Sequence, residues 1–591
     1  MVERKHKQIL VKRLWGLTRL AWLVMLVIVG RYWAIQILDG ELYRELSDNN
    51  RLRKQEIQAP RGVITDRHGV ALAENVPSYN LLFDRAASAD PEASQAFAAR
   101  ILGVDVATLD EPFAAARMAG FKPVRVADNL SLGQVARFDA VHLERPEFDV
   151  AVAHRRLYRF GHQVAHVIGY LGEASRTEVE AGHYKVGDRV GKKGIERRFQ
   201  DELQGSDGER VVVVDSRGRV LEEYHRAPSS AGRSIALTLD LRLQQTAVRL
   251  LDGKVGSIVA LDPRDGAVRA MVSAPSFDPN LFAGRLDRRD WNALIEHPDD
   301  PLQNRVVQNA YPPGSVFKLV MALAAFDEGM QHTRIYCPGY SRIYNHRFRC
   351  WKRGGHGAVD LREALKGSCN VYFHELGRRL EIDRIAELSR FFGLGQATGI
   401  DLDGERPGLV PSTAWSEKTR RHPWYPGETI SVATGQGPIL TTPLQVATMV
   451  AAIANGGDRV RPHLRQDDAT AERDKLPFDA ARLAFIRDAM AAVVNEEGGT
   501  GRQAELETMT VAGKTGTAQV IAQETWTSND ELAPENRDHA WFASFAPAEH
   551  PELVVVIMVE HGGGGSTGAA PLAQELYATF FDTDHEHDGP T

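Results

Sequence analysis

Only three cysteines occur in the 591 residues, too few for a disulfide framework to carry the fold, and the odd number leaves at least one thiol without an intrachain partner. Positive charge is not in excess. The 71 basic residues face 78 acidic ones, and the formal net charge of -7 gives no general affinity for nucleic acid. No nucleic-acid motif, internal repeat or long low-complexity tract occurs, which leaves ordinary packed domains. At this length the chain holds more than one of them, with ample material for large buried cores. Apolar runs long enough to cross a bilayer are missing as well, with one exception.

That exception is residues 14–38, LWGLTRLAWLVMLVIVGRYWAIQIL, with Trp and Tyr near its ends, long enough for one crossing at about 20 residues. Arg19 and Arg31 interrupt it and must snorkel or pair. No small-x-small cleavage site follows, so a retained anchor is expected rather than a cleaved signal peptide. Arg4, Lys5, Lys7, Lys12, Arg13 and Arg19 against Glu3 predict a cytoplasmic N-terminus, with everything after about residue 39 extracytoplasmic.

Downstream, LRKQEIQAPRGVITDRHGVALAENVPSYNLLF reads as strand, a turn at Asp66 to Gly69, then strand. A mixed α/β region continues to about residue 225, with helical charge patterning in GIERRFQDELQG from Gly194 and no catalytic constellation. The small, polar APSSAGRS at residues 227–234 marks a boundary. Beyond it, GSIVALDPRDGAVRAMVSA predicts a β-hairpin turning at Pro263 to Gly266, and helical patterns fill residues 315–455. Strands return in MTVAGKTGTAQVI, AWFASFAPA and ELVVVIMVE, predicting an α+β unit whose sheet joins its first and last segments. HGGGGSTG from His561 reads as a mobile loop before the last helix, one that could border a site.

The stretch AYPPGSVFKLVMALAAF, residues 310–326, sets Ser315 and Lys318 in an otherwise nearly continuous apolar run. Residues three apart share a helix face one turn from each other, so the hydroxyl and the amine would meet. Pro312, Pro313 and Gly314 break any earlier regular structure and place Ser315 in the first turn of a helix. Free N–H groups there favour a developing oxyanion, and a lysine walled by Val316, Phe317 and Leu319 is driven toward its neutral, basic form. A capping serine beside a snorkelling surface lysine would fit the same four residues. Two further motifs follow in order: Ser368-Cys369-Asn370 within GSCNVYFHELG, and Lys514-Thr515-Gly516 within VAGKTGTAQV. Each alone is weak, since Ser368 and Asn370 could cap a helix and Lys514 could be a solvated strand residue. The ordered set is the serine acyl-transfer signature of penicillin-binding proteins and serine β-lactamases.

On these motifs the chain resembles the class B penicillin-binding proteins, peptidoglycan D,D-transpeptidases, of the rod-elongation type. The resemblance extends to PRGVITDRHG after the anchor, GIE near Gly194, and PWYPGETISVATGQG from Pro423, and so covers nearly the whole chain. It implies a cytoplasmic stub (residues 1–13), one transmembrane helix (14–38), an elongated mixed α/β pedestal of the dimerisation type (39–230), a serine β-lactamase-like transpeptidase domain with an antiparallel sheet flanked by helices (231–582), and a disordered acidic tail (583–591). Its catalytic residues would be Ser315 as nucleophile, Lys318 as base, Ser368 as proton relay to the leaving amine, and Asn370, which would donate to the substrate amide and steady Lys318. Its substrate-binding residues would be Lys514, Thr515, Gly516 and Thr517, with Thr517 following a Lys-Thr-Gly turn on a strand edge, and with the Cβ-less Gly516 letting substrate approach. Gly435-Gln436-Gly437 either lines the cleft or only makes a turn. β-Lactams would acylate Ser315, and a glycan polymerase of the SEDS, RodA-like type, with other elongation-complex membrane proteins, would be the partners.

The three thiols, Cys337, Cys350 and Cys369, with His356, would close a tetrahedral structural zinc site, and His346 is a reserve ligand. Some elongation-type relatives bind zinc at matching positions through carboxylates where this chain has cysteines. One disulfide plus a free thiol, or three unligated thiols, are the other readings. No deacylating glutamate motif supports a β-lactam hydrolase or sensor, and a long pedestal would be superfluous for one. A D,D-carboxypeptidase, or mainly a scaffold activating the polymerase, stays open, because the choice of acceptor leaves no trace in the sequence.

Overall fold

The structure is a computed structural model describing residues 2–39, 52–118, 123–185, 187–214, 220–284, 286, 288–467, 473–521 and 529–587. Helix α1, Val2–Trp33, continues as a wider π turn over Ala34–Leu38. Residues 13–38 form the one helix among the described residues that is long and apolar enough to cross a membrane.

The chain divides into two compact units. The first comprises Met1–Pro60, Ser78–Ala153 and Gly205–Ala231. In it Leu52–Ile57, Gly208–Val214 and Val220–Ala227 form a three-stranded antiparallel sheet. A separate core gathers Phe83, Phe113, Phe138 and Phe148, with the rings of Phe83 and Phe113 4.5 Å apart. The second comprises Arg61–Pro77, His154–Gln204 and Gly232–Thr591. The expected turn at Asp66 to Gly69 is present in this unit, closed by Asp66 N–H to the Val70 carbonyl at 2.9 Å.

The second unit is built on a five-stranded antiparallel sheet. Its strands are β1 (Gly256–Leu261), β2 (Val268–Ala274), β3 (Ala512–Ala518), β4 (His539–Ala546) and β5 (Leu553–Val559), in the order β2-β1-β5-β4-β3. As the hairpin and terminal-strand patterns predict, β1 pairs with both β2 and β5, so the first and last segments meet at the centre of the sheet. The β5 sequence LVVVIMV is apolar throughout because both faces are covered. Val554, Val556 and Met558 enter one core while Leu553, Val555, Ile557 and Val559 enter the other, the period of two of a strand. Helix Pro443–Ala454, buried at every position, belongs to the first of these cores; Ala573, Leu576 and Tyr577 of the last helix, Ala570–His587, belong to the second. Residues 583–587, expected as the start of a disordered tail, continue the last helix, and residues 588–591 lie outside the described residues.

Two local expectations are corrected. Residues 335–359 are not helical: two small antiparallel pairs occupy them, Ile335–Cys337 with Gly357–Val359 and Tyr340–Ile343 with His346–Arg349. Gly339, Gly355 and Gly357 in left-handed conformations turn the chain between them. Lys514-Thr515-Gly516 is likewise not a turn but the middle of β3, paired residue for residue with β4. The HGGGGSTG segment is packed rather than free-standing. It forms a short helix, Gly565–Gly568, and a Cβ on Gly565 would lie 2.4 Å from the Gly516 carbonyl oxygen.

Candidate active site

Ser315 sits half-buried in a 3-10 turn, Gly314–Phe317, that runs directly into helix α2, Lys318–Asp327. The turn is wedged between two other segments. Gly314 has φ +54°, donates its N–H to the Gly435 carbonyl at 3.0 Å, and would set a Cβ 2.5 Å from the Thr517 carbonyl oxygen. Only glycine fits there, on conformational and on steric grounds. Gly435 is held by the same packing, since its own Cβ would fall 2.0 Å from the Gly314 oxygen. Between the glycines, Gln436 Nε2 donates to the Thr517 carbonyl at 2.9 Å. The Gly-Gln-Gly segment therefore clamps the serine turn against β3.

Ser368, Cys369 and Asn370 open helix α3, Asn370–Arg379, but none caps it through a side chain. Ser368 is held at φ +54°, a costly conformation for a residue with a side chain. The polar atoms turn to the lysines instead. Lys318 Nζ donates to Asn370 Oδ1 at 2.7 Å, to the Ser368 carbonyl at 2.9 Å and to Ser368 Oγ at 3.3 Å. Lys514 Nζ reaches Ser368 Oγ at 2.9 Å and the Thr515 carbonyl at 2.9 Å, so one serine hydroxyl lies between two amines. Both lysines are fully buried. Burial drives Lys318 down to about 8, opposed by the nearby thiols of Cys350, Cys369 and Cys337, and burial followed by repulsion from Lys318 drives Lys514 well below its ordinary value. A neutral lysine one turn from Ser315 can accept its proton; a buried amine with no carboxylate partner among the described residues can receive an anion.

On β3, Thr515 Oγ1 lies 2.7 Å from Thr500 Oγ1. The space a side chain at Gly516 would take is filled by Val316 Cγ2 and Trp541 Cβ, both 2.9 Å from an added Cβ, and by the Pro313 oxygen at 3.0 Å, so the missing Cβ lets β3 close onto the serine turn. Thr517, half-buried at the sheet edge, completes the set. Trp351 and Thr500 were not visible as site residues in the sequence; neither belongs to a motif. Gln436 had a faint signal in its flanking glycines. Trp351 Nε1 donates to the carbonyls of Gly367 and Ser368 at 3.0 and 3.1 Å and so pins the loop carrying the hydroxyl.

The expected metal ligands also converge. Cys337, Cys350, His356 and Cys369 place their ligand atoms all within 4.8 Å of one another, with His356 Nδ1 3.7 Å from Cys337 Sγ and 3.5 Å from Cys350 Sγ. All three cysteines are buried, unbridged thiols. Hydrogen bonds from Cys369, and then from His356, pull Cys337 and Cys350 toward thiolate, while Cys369 is pushed up. Tetrahedral zinc bonds of about 2.0–2.3 Å put ligand atoms roughly 3.5–3.8 Å apart, so the donor set fits the ion in number and type and the two His356–cysteine distances fit it in spacing, while the 4.8 Å spread of the whole cluster is wider than a closed site. His346 lies outside the cluster, its ring 4.8 Å from that of Phe348.

Residues 56–237 match the penicillin-binding protein dimerisation domain and residues 256–578 the penicillin-binding protein transpeptidase domain. The chain belongs to the penicillin-binding proteins, in their class B, rod-elongation branch. It is 36% identical to the peptidoglycan D,D-transpeptidase MrdA of Haemophilus influenzae over 95% of this chain and 90% of that one. The same enzyme of Acinetobacter baumannii is 35% identical over 97% and 88%. Among solved structures, penicillin-binding protein PBP2 from Helicobacter pylori, in a complex with MreC, superposes with a TM-score of 0.80 at 28% identity, over 90% of this chain and 99% of that one. A peptidoglycan synthase complex described as coordinating polymerization and crosslinking superposes with a TM-score of 0.73 at 32% identity, over 96% and 98%.

Proposed function

We propose that this chain is a membrane-anchored peptidoglycan D,D-transpeptidase in which Ser315 forms the acyl-enzyme, and the observation that carries the reading is the buried Lys318 one turn from it, held by Ser368 and Asn370. Ser315 Oγ attacks the carbonyl between the two terminal D-alanines of a stem peptide while neutral Lys318 takes its proton. The N–H groups of Ser315 and Thr517 stabilise the oxyanion. The C–N bond then breaks, a proton passing through Ser368 Oγ to the leaving amine of D-alanine. An amine of a neighbouring stem attacks the resulting ester, forming the cross-link and returning the proton to Ser315. Lys514 and Thr515 hold the terminal carboxylate of the donor, which supplies the anion the buried Lys514 lacks. β-Lactams acylate the same serine and leave it slowly.

The N-terminal basic residues orient the single anchor with the enzyme domain outside the cytoplasmic membrane. The chain works within the elongation machinery, and its polymerase partner is of the SEDS, RodA-like type; the likeness to a synthase complex supports this. Cys337, Cys350, His356 and Cys369 hold a structural zinc that has no open position for substrate and fixes the loop bearing Ser368 and Asn370. Metal analysis should find about one zinc per chain, and Cys350→Ser should lose it and lower the unfolding midpoint; a metal-free, equally stable wild type removes zinc from the reading. For the chemistry, fluorescent penicillin should label the wild type covalently and leave Ser315→Ala unlabelled. Label that persists on the variant would place the nucleophile elsewhere.

A further inference from the structure

Between Glu328 and Asp360 the chain has no acidic residue, yet it carries Arg334, Arg342, Arg347, Arg349, Lys352 and Arg353. Much of this charge lies on one hairpin, Tyr340–Ile343 with His346–Arg349, in which Tyr340 sits opposite Arg349 and Arg342 opposite Arg347. Side chains alternate across such a pair. Ser341, Ile343 and Phe348 take the inner face: Ser341 Oγ meets His374 Nδ1 at 2.9 Å, the Phe348 ring is 5.4 Å from that of His374, and Ile343 is buried. The outer face therefore carries Tyr340, Arg342, Arg347 and Arg349, all exposed.

Like charges directly across a strand pair repel and destabilise it. No ion pair joins Arg342 or Arg347 to a carboxylate among the described residues. Arg347 instead lies 4.0 Å from the centre of the Tyr340 ring, a contact that orders the guanidinium without neutralising it. The hairpin is also tied to the reactive centre. Asn370 Nδ2 donates to the Arg349 carbonyl at 3.2 Å, and Cys350 and Trp351, the next two residues, join the thiol cluster and the Ser368 carbonyl.

We infer that this outer face binds the carboxylates of an acidic stem peptide other than its terminal one, through the forked donors of Arg342 and Arg347, and so selects which stems reach Ser315. Guanidinium forks match carboxylates in a way single ammonium groups do not. The inference rests on the transpeptidase reading above and adds a subsite to it.

The test uses the full-length protein in detergent and follows acylation by fluorescent penicillin, referring each protein to its own rate without peptide. The competitors are a D-Ala-D-Ala peptide with two free side carboxylates and the same peptide with both amidated. The acidic peptide should protect the wild type at a concentration on the order of tenfold lower than the amidated one. That advantage should disappear in R342Q/R347Q and survive in R342K/R347K, at least in part. Equal protection by the two peptides in the wild type overturns the inference whatever the variants do. So does an advantage that persists in R342Q/R347Q, or labelling that neither peptide slows. A wild type that penicillin does not label fails earlier, overturning the acyl-transfer reading and this subsite with it.

Discussion

Glu196 and Lys318 are both fully buried, yet the first is paired directly with two opposite charges and the second, among the described residues, with no carboxylate. Glu196 takes Arg61 Nε at 2.6 Å and Arg156 Nε at 2.7 Å, while Arg61 also donates to the Glu196 carbonyl and to Gln200 Oε1. Burial alone would push this carboxyl up; the two guanidiniums overcome it and hold it below its ordinary value. Among the described residues the hydrogen-bond partners of Lys318 and Lys514 are all neutral oxygens, Lys318 also lies over the Phe373 ring, and the two amines are close enough to repel. Taking a charge out of water costs several kcal/mol unless an opposite charge restores it. Where this chain supplies the opposite charge, the cluster holds segments together: Arg61 of PRGVITDRHG, Arg156, and Glu196 of GIE come from three separate stretches. Where it withholds that charge, the groups are left reactive, with their pKa values displaced and a place open for a substrate carboxylate.

Reciprocal substitutions should break this contrast most visibly. Lys318→Met should cut penicillin acylation by about a thousandfold, since the base is gone. The same change should raise the unfolding midpoint, because a lysine lowered from 10.5 to about 8 by burial opposes folding at neutral pH, leaving a net gain on the order of 1–2 kcal/mol after its hydrogen bonds are lost. A midpoint that falls would show that Lys318 is compensated after all. Glu196→Gln should do the reverse. It strands two buried guanidiniums and should cost roughly 3–5 kcal/mol, read as a lower midpoint, while the protein that remains folded acylates at the wild-type rate.

A pH series sharpens the comparison with a smaller effect. Lys318 must be neutral to accept the proton, so acylation should rise about tenfold per pH unit below about 8 and level off above it. The stability sign agrees. The folded pKa lies below the unfolded one, so between about 8 and 10.5 the unfolded chain binds the proton that the folded chain does not, and this lysine's contribution to stability improves as pH rises. A profile flat from pH 6 to 9 would place the base on another group.

The acyl-transfer motifs were readable because each is short and its spacing is local. Ser315 and Lys318 are three apart, and that alone predicted one turn between them, as in the 3-10 turn that runs into α2. The capping alternative for Ser368 and Asn370 was equally local and equally reasonable; the structure sends both side chains to Lys318 instead. The helical pattern expected across residues 335–359 was missed for a related reason. Strands of three or four residues are too short to show a period, and only the glycines between them marked turns. Gly516 shows a different limit. Its small size was legible, but what fills the space, Val316 and Trp541 rather than open cleft, depends on segments far away in the chain.

By itself the sequence determined the local periods: the apolar run of residues 14–38, the serine and lysine on one turn, and the two-residue alternation that sends Val554, Val556 and Met558 to one face of the sheet. Only the tertiary structure decided that the turn at Gly314, the loop at Ser368, the Gly435-Gln436-Gly437 segment and the middle of β3 share one site. It also decided that Trp351 and Thr500 stand beside them. Those groups are brought together by the burial of both faces of a sheet whose central strands come from opposite ends of the unit. Hydrophobic burial is non-directional and summed over the whole core, so no short stretch of residues carries a record of which distant partner it will meet.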